Sequence, residues 1–436
     1  MFPVPTARPV VLAACLAIVV LVVPLAAPWG FVAACAGLVL VCAADVALAV
    51  DPGAVGIERQ LTPTVTLGGE GEARWRVTNP TSRRLRVAVA DELAPSLRPE
   101  ERRFSMTVPP GATRTERASL HPSRRGRFVP TELVVRVEGP LGLMARQRTR
   151  RQPGELRVLP AFHSRKQVEL RVERAQLLEI GLRTARGSGG GTEFDALRDY
   201  TVDDDVRRID WAATARSSRT IVRTYRAERN QQVVVLLDNG RVMAGRVAGA
   251  PRVEWAMDAA MGLTTAASAL GDRCGLVTFD RAVRGVVPPR GGRAQLERVT
   301  GALFDLEPEL VESDYAGAFA TTIARFRRRA LIVLLTELAE EAMTETLVPA
   351  LPLLLSHHLV IVASAADPDV GEWATASPHD PHEAYRMAAA VAAIGRRARA
   401  AGMLRGLGAT VIDAPPYALA PRLVDAYLGI KAAGRL

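Results

Sequence analysis

The chain has 436 residues, enough for two or three domains with separate cores, and its 23% charged and 48% hydrophobic content excludes a disordered protein. The net charge of +10 is almost wholly arginine, because Lys166 and Lys431 are the only lysines. That charge is spread along the chain and aromatic residues are only 5%, which argues against a stacking platform, so no nucleic-acid partner is expected.

In chain order, Val10 to Ala27 is a charge-free apolar run of 18 residues, broken by Pro28-Trp29-Gly30. A second run extends from Phe31 to Ala44 and reaches Val50 if Asp45 snorkels at an interface. Residues 1–50 are therefore expected to form a transmembrane α-hairpin. A cleaved signal peptide with Arg8 in its n-region is the alternative for the first run. Either reading puts residues 51–436 on the cytoplasmic side of the inner (plasma) membrane. The soluble part contains one cysteine, Cys274, which excludes a disulfide framework there and fits a reducing compartment.

Residues 51–150 change to period-2 patterning. In "EARWRVTN", Ala73, Trp75 and Val77 share one face; in "LRVAVA", Leu85, Val87 and Val89 do; "NPTSRR" supplies the turn between them. Further short strands separated by Pro and Gly predict an antiparallel β-sandwich of immunoglobulin-like type. Residues 151–232 read as a connector. Its "GSGGG" (187–191) lacks the Lys-Ser/Thr of a phosphate loop and follows no clean strand, so it is not expected to bind nucleotide.

The connector holds a dense polar stretch at 192–229. Asp203, Asp204, Asp205 and Asp210 alternate with Arg198, Arg207, Arg208, Arg216 and Arg223, interleaved with Phe194, Tyr200 and Trp211. Crowded carboxylates raise one another's pKa unless cations neutralise them, and arginine forks at this spacing do so as bidentate pairs. The expectation is an ion-pair network that holds a loop or a docking face. A carboxylate-metal enzyme using Asp203–Asp205 and Asp210 is the alternative, although no His, Cys or Ser completes a catalytic set. Anionic-lipid or nucleic-acid binding through the arginine excess is a further one.

From 233 onward, buried apolar strands alternate with amphipathic helices. Strands are expected at 233–237, 274–279, 330–336, 359–364 and 409–413, giving a doubly wound, mostly parallel α/β sheet over 233–436. "VVVLLDNGRVM" (233–243) delivers Asp238 at a strand end.

The quoted residues also carry a resemblance. Glu193-Phe194, Leu197-Arg198-Asp199-Tyr200, Asp204-Asp205, Arg207, Ile209-Asp210-Trp211 and Ala215-Arg216 resemble the signature of the bacterial family called domain of unknown function 58 (DUF58). "GPLGLM" (139–144), "LRGLGATVID" (404–413) and the C-terminal "LVDAYLGIKAAGRL" are similar to that family as well. Asp203 departs from it, standing where the family usually has glycine. The resemblance implies a von Willebrand factor A-like α/β domain, a MoxR-type AAA+ ATPase partner and a neighbouring transglutaminase-like membrane protein. It also implies a metal-ion-dependent adhesion site, in which Asp238 would be the first ligand and Glu337 would stand where a later-loop Asp is expected, with Ser313 or Asp314 approximating another. Gly240 and Val242 replace the two hydroxyls of that motif, so the site reads as degenerate, with Mg²⁺ the ion a working version would take. No cofactor is expected, and the chain reads as a non-enzymatic membrane-anchored adaptor. The signature residues Glu193, Phe194, Arg198, Tyr200, Asp204, Asp205, Arg207, Asp210, Trp211, Arg216 and Arg223 are its candidate docking or structural site.

Overall fold

The computed structural model describes residues 2–6, 8–9, 11–14, 28–186, 193–201, 206–226 and 230–436. They form two compact units, Met1–Leu159 and Pro160–Leu436.

The first unit contains α1 (Pro28–Leu48) and a run of strands: β1 (Phe2–Pro5), β2 (Gly56–Leu61), β3 (Thr64–Thr66), β4 (Gly71–Thr78), β5 (Leu85–Asp91), β6 (Arg103–Val108), β7 (Thr113–Leu120), β8 (Gly126–Phe128), β9 (Glu132–Glu138), β10 (Met144–Arg151) and β11 (Leu156–Leu159). They build an antiparallel sheet β1-β10-β9-β5-β6, a second antiparallel sheet β2-β4-β7, and a short mixed sheet β3-β11-β8. The period-2 patterning explains the packing: Ala73, Trp75 and Val77 of β4 share one core with Val87 and Val89 of β5 and Val135 and Val137 of β9. A charged cluster lies inside it. Arg59 Nη1 donates to Asp91 Oδ1 at 2.5 Å and Trp75 Nε1 donates to Asp91 Oδ2 at 2.6 Å, with both ion-pair side chains fully buried.

The expected transmembrane hairpin is corrected here: among the described residues, no helix is long and apolar enough to cross a membrane. Most of the run Val10–Ala27 lies outside the described residues. Of the segments around it, β1 pairs antiparallel with β10, from Phe2 opposite Gln147 to Pro5 opposite Met144. Asp45, expected to snorkel, is fully buried, and its carboxylate accepts backbone N–H groups from Leu141 (2.7 Å), Leu143 (2.8 Å) and Met144 (2.8 Å). The end of α1 is thereby tied to the β9–β10 turn, the segment "GPLGLM". Gly139 is needed there because a Cβ would collide with Asp45, and Gly142 has φ +68°.

The second unit contains α2 (Arg165–Arg186), β12 (Glu193–Asp199), α3 (Trp211–Ser217), β13 (Ile221–Arg226), β14 (Gln232–Asp238), the small pair β15 (Arg246–Val247) and β16 (Ala250–Pro251), α4 (Arg252–Ala269), β17 (Arg273–Phe279), β18 (Val283–Arg290), α5 (Ala294–Leu303), α6 (Tyr315–Arg325), β19 (Leu331–Leu335), α7 (Val348–Leu355), β20 (Leu359–Ala365), α8 (Pro368–Thr375), α9 (Pro381–Gly406), β21 (Thr410–Ala414) and α10 (Pro416–Ala432). Its sheet has the order β18-β17-β14-β19-β20-β21, parallel throughout except for the edge strand β18. Strand β14 shows why a continuous apolar run is needed. Val233, Val235 and Leu237 enter a core with α2, α4 and α10, while Val234 and Leu236 enter another with α6, α7 and α9. Successive parallel strands run outward from β14 in both directions, so the sheet's switch point lies where β14 and β19 end side by side. Asp238 ends β14, and Thr336-Glu337 follow β19.

Candidate functional site

At that switch point Asp238 is fully buried and all its accepting capacity is used. Oδ1 accepts from Ser313 Oγ (2.5 Å) and from the backbone N–H of Gly240 (2.9 Å). Oδ2 accepts from Tyr315 Oη (2.8 Å) and Thr336 Oγ1 (2.6 Å), and these two hydroxyls approach each other at 2.9 Å. An ionised carboxylate offers about four lone-pair positions, so four protein donors saturate it. Burial, reinforced by the nearby Asp238 charge, pushes the Tyr315 phenol well above its ordinary pKa, which keeps it a hydrogen-bond donor.

This geometry explains why Gly240 follows Asp238. A Cβ at 240 would collide with Ser313 Oγ and lie 2.9 Å from Val311 O. The space a residue 240 hydroxyl would occupy is filled by a hydroxyl from 73 positions downstream. Of the two residues considered for the second loop, Ser313 reaches Asp238, whereas Asp314 caps α6 by accepting from Gly317 N–H at 2.9 Å.

Glu337 is engaged in a different network. Its carboxylate pairs with Arg397, lies 3.0 Å from Arg252 Nε and accepts from Ser364 Oγ at 3.1 Å. Arg397 also grips Asp413, through Nη2 at 2.6 Å and Nε at 3.2 Å. Burial alone would lower the Arg397 pKa, but Asp413 and Glu337 together raise it. Asp238 and Glu337 thus face separate sets of donors. Among the described residues no group of three or more His, Cys, Asp or Glu side chains converges on a metal position. A saturated carboxylate and an arginine-paired one do not fit the open octahedral oxygen set that Mg²⁺ requires.

The signature folds as a two-stranded antiparallel ribbon, β12 with β13, carrying α3 between them. Asp210 supports it twice: Oδ1 accepts from Ala213 N–H at 3.0 Å, capping α3, and Oδ2 accepts from Arg223 Nε at 2.8 Å. Arg223 holds the Asp210 carboxyl below its usual range, with the Ala213 N–H adding to the effect. Ile209 bridges Val222, and Tyr200 N–H donates to Thr220 O at 2.8 Å. Arg216 Nε donates to Ala212 O, Arg198 to Asp199 O, and Arg219 lies 3.4 Å from Asp199. Arg207 sits exposed on a 3₁₀ turn at Val206–Arg208. Glu193 and Phe194 have backbone pairing opposite Arg226 and Tyr225. Asp203, Asp204 and Asp205 lie outside the described residues. Asp210 is buried, whereas on the same ribbon Trp211 is 68% exposed, Val206 59% and Leu197 43%. The ribbon therefore turns its described carboxylates toward arginines and backbone, and apolar side chains toward solvent.

Sequence reasoning missed Tyr315 and Thr336 as Asp238 partners and Arg252, Ser364, Arg397 and Asp413 as the network around Glu337. In sequence, Tyr315 recurs with Phe319, Ile323 and Phe326 at helical spacing as part of an apolar stripe, and its hydroxyl tip carries no periodic signal.

The pattern of the family described as "Protein of unknown function DUF58" matches residues 196–391. Uncharacterized proteins of Mycobacterium bovis and Mycobacterium tuberculosis are each 31% identical over 151 residues, 34% of this chain and 48% of theirs. The chain thus spans about half the length of the curated relatives it matches. Among solved structures, the conserved hypothetical protein BatB from Bacteroides thetaiotaomicron aligns at 11% identity over 47% of this chain and 100% of its own, with a TM-score of 0.31. An uncharacterized membrane spanning protein from Vibrio fischeri aligns at 16% identity over 47% and 99%, with a TM-score of 0.19. Scores this low carry no fold argument.

Proposed function

We propose, from the premise that residues 196–391 are a DUF58 domain, that the chain is a non-enzymatic docking protein whose signature ribbon receives a protein partner. The carrying observation is the contrast at adjacent positions: Asp210 is committed to Ala213 N–H and Arg223, while Trp211 projects 68% exposed. An exposed tryptophan on a ribbon that also exposes Leu197 and Val206 and carries Arg207, Arg216 and Arg219 at its surface has the composition of an interface hot spot, where aromatic and arginine anchors dominate. The family resemblance makes a MoxR-type AAA+ ATPase the expected partner, and a von Willebrand factor A-like α/β unit the scaffold presenting the ribbon. The test is crosslinking pull-down from native cells with wild type and Trp211→Ala. The reading expects an AAA+ ATPase enriched by wild type and lost with Trp211→Ala while the fold is retained. An unchanged partner list, or no ATPase, overturns it.

A further inference from the structure

The amphipathic rule that shapes the second unit fails on one helix. In α9 only Ala390, Ala400, Ala401 and Leu404 are buried, and they mark the side turned to the unit. The side facing solvent should be polar, yet residues 387–395, "MAAAVAAIG", carry no polar side chain at all. Tyr385 is 80% exposed, Val391 52% and Ile394 42%. Helix α8 packs on α9, with Arg386 lying 5.7 Å over the Trp373 ring, and still leaves all three exposed. An apolar face this continuous marks an interaction surface rather than scattered residues.

The spacing of the face says what fits it. Ala384, Ala388, Val391, Gly395, Ala398 and Gly402 follow one another at intervals of 4, 3, 4, 3 and 4 residues. That is heptad spacing, so they form one seam along about 27 Å of helix. No side chain in the seam is larger than valine, which lets a second helix approach to about 8 Å, the close end of helix packing. The intervals also read the same from either end. A two-fold axis at Ala393 therefore sets the seam against its own image in an antiparallel pair, Ala384 opposite Gly402 and Val391 opposite Gly395 of the second copy. The same rotation brings like flanks together. On one flank Tyr385 meets Arg399, whose side chain is 62% exposed and whose Nε and Nη2 are each held by Glu340 at 2.9 Å. A guanidinium fixed in this way stacks on an aromatic face with little freedom left to lose. On the other flank Ile394 meets its own copy.

We infer that this face of α9 pairs with the α9 of a second copy of this chain, antiparallel about a two-fold axis. A two-fold interface has to match its own image, and this face does so by spacing, by side-chain size and by a Tyr385–Arg399 contact made twice. An unrelated partner would require none of that symmetry. The footprint of one helix pair is below that of a standard interface, so the dimer forms weakly and depends on concentration. The inference stands apart from the signature ribbon and from any partner the ribbon receives.

The experiment is analytical ultracentrifugation of the full chain over a micromolar to submillimolar range. Wild type is expected to show a monomer–dimer equilibrium. Val391→Glu, which sets two carboxylates beside the axis, is expected to raise the dissociation constant about tenfold or more. Tyr385→Ala, which removes both stacking contacts, is expected to raise it about tenfold. Leu353→Glu, the same charge placed on an exposed residue of α7, is expected to leave it unchanged. Oxidative crosslinking reads the orientation. Ala392→Cys, beside the axis, is expected to link two copies beyond the level of wild type, whereas His382→Cys, about 33 Å from its own copy, is not. A wild type that stays monomeric throughout would give the face to another protein and overturn the pairing. So would a Val391→Glu variant, with wild-type circular dichroism, that still dimerises, an equal loss with Leu353→Glu, or a crosslink at His382→Cys.

Discussion

Replacing Asp238 tests whether the loop after β14 is a hydrogen-bonded lock. In Asp238→Asn the Gly240 N–H cannot reorient, so the amide oxygen must stay on its side, shared with Ser313. The amide NH₂ then faces the Tyr315 and Thr336 hydroxyls, which have to turn from donating to accepting. The backbone geometry survives but the charge assistance does not, at a cost of about 2 kcal/mol. Asp238→Ala leaves the Gly240 N–H and the Ser313 hydroxyl without their buried acceptor. Tyr315 and Thr336 retain each other at 2.9 Å. Two orphaned buried donors at about 1–3 kcal/mol each put this variant near 4 kcal/mol. Because two compact units need not unfold together, the readout is urea-dependent hydrogen exchange of peptides covering β14 and β19, with and without Mg²⁺. The expected order is wild type, then Asn, then Ala, with Mg²⁺ changing none of them. An Asn variant within about 0.5 kcal/mol of wild type, a shift that a surface substitution would give, would refute the lock. So would a Mg²⁺ stabilisation of wild type that Asp238→Asn abolishes.

Other expectations follow from the same packing. Gly240→Ser, which adds a hydroxyl two residues after Asp238, should destabilise the second unit by about 1–3 kcal/mol because its Cβ meets Ser313 and Val311 O; a thermal midpoint at or above wild type would contradict this. Asp91→Ala strands a fully buried Arg59 and should cost the first unit about 3–5 kcal/mol, measured by urea unfolding with the Trp75 environment as probe. His358 is buried with no hydrogen-bond partner on either ring nitrogen among the described residues, and burial, then neighbouring His357, holds its pKa below 6.5. The unfolded chain therefore binds the proton first, so the second unit should lose stability as pH falls below about 6.5. A His358→Leu variant should show a flatter profile between neutral pH and pH 5, and an identical slope would refute the assignment.

The sheet of the second unit was legible because burial on two faces leaves a local mark. The apolar runs read at 233–237, 274–279, 330–336, 359–364 and 409–413 match β14, β17, β19, β20 and β21 to within a residue at each end. Strand β18 was not read, because its residues are half-exposed and include Pro288 and Pro289, which blur any strand pattern. At 1–50, hydropathy misled. Apolarity is a property of each residue alone, whereas the partners of Asp45 are backbone N–H groups about a hundred positions away.

The same division separates the sites. Sequence by itself located the end of β14, placed Asp238 there, and showed that Gly240 and Val242 bring no hydroxyls. Only the tertiary structure decided that Ser313, Tyr315 and Thr336 supply them, 75 to 98 positions downstream, and that Glu337 belongs to Arg252 and Arg397. The reason is physical. Periodic burial is written into neighbouring residues, but a buried carboxylate is satisfied by whichever donors the packed helices and strands carry to it, and their distance along the chain leaves no local trace.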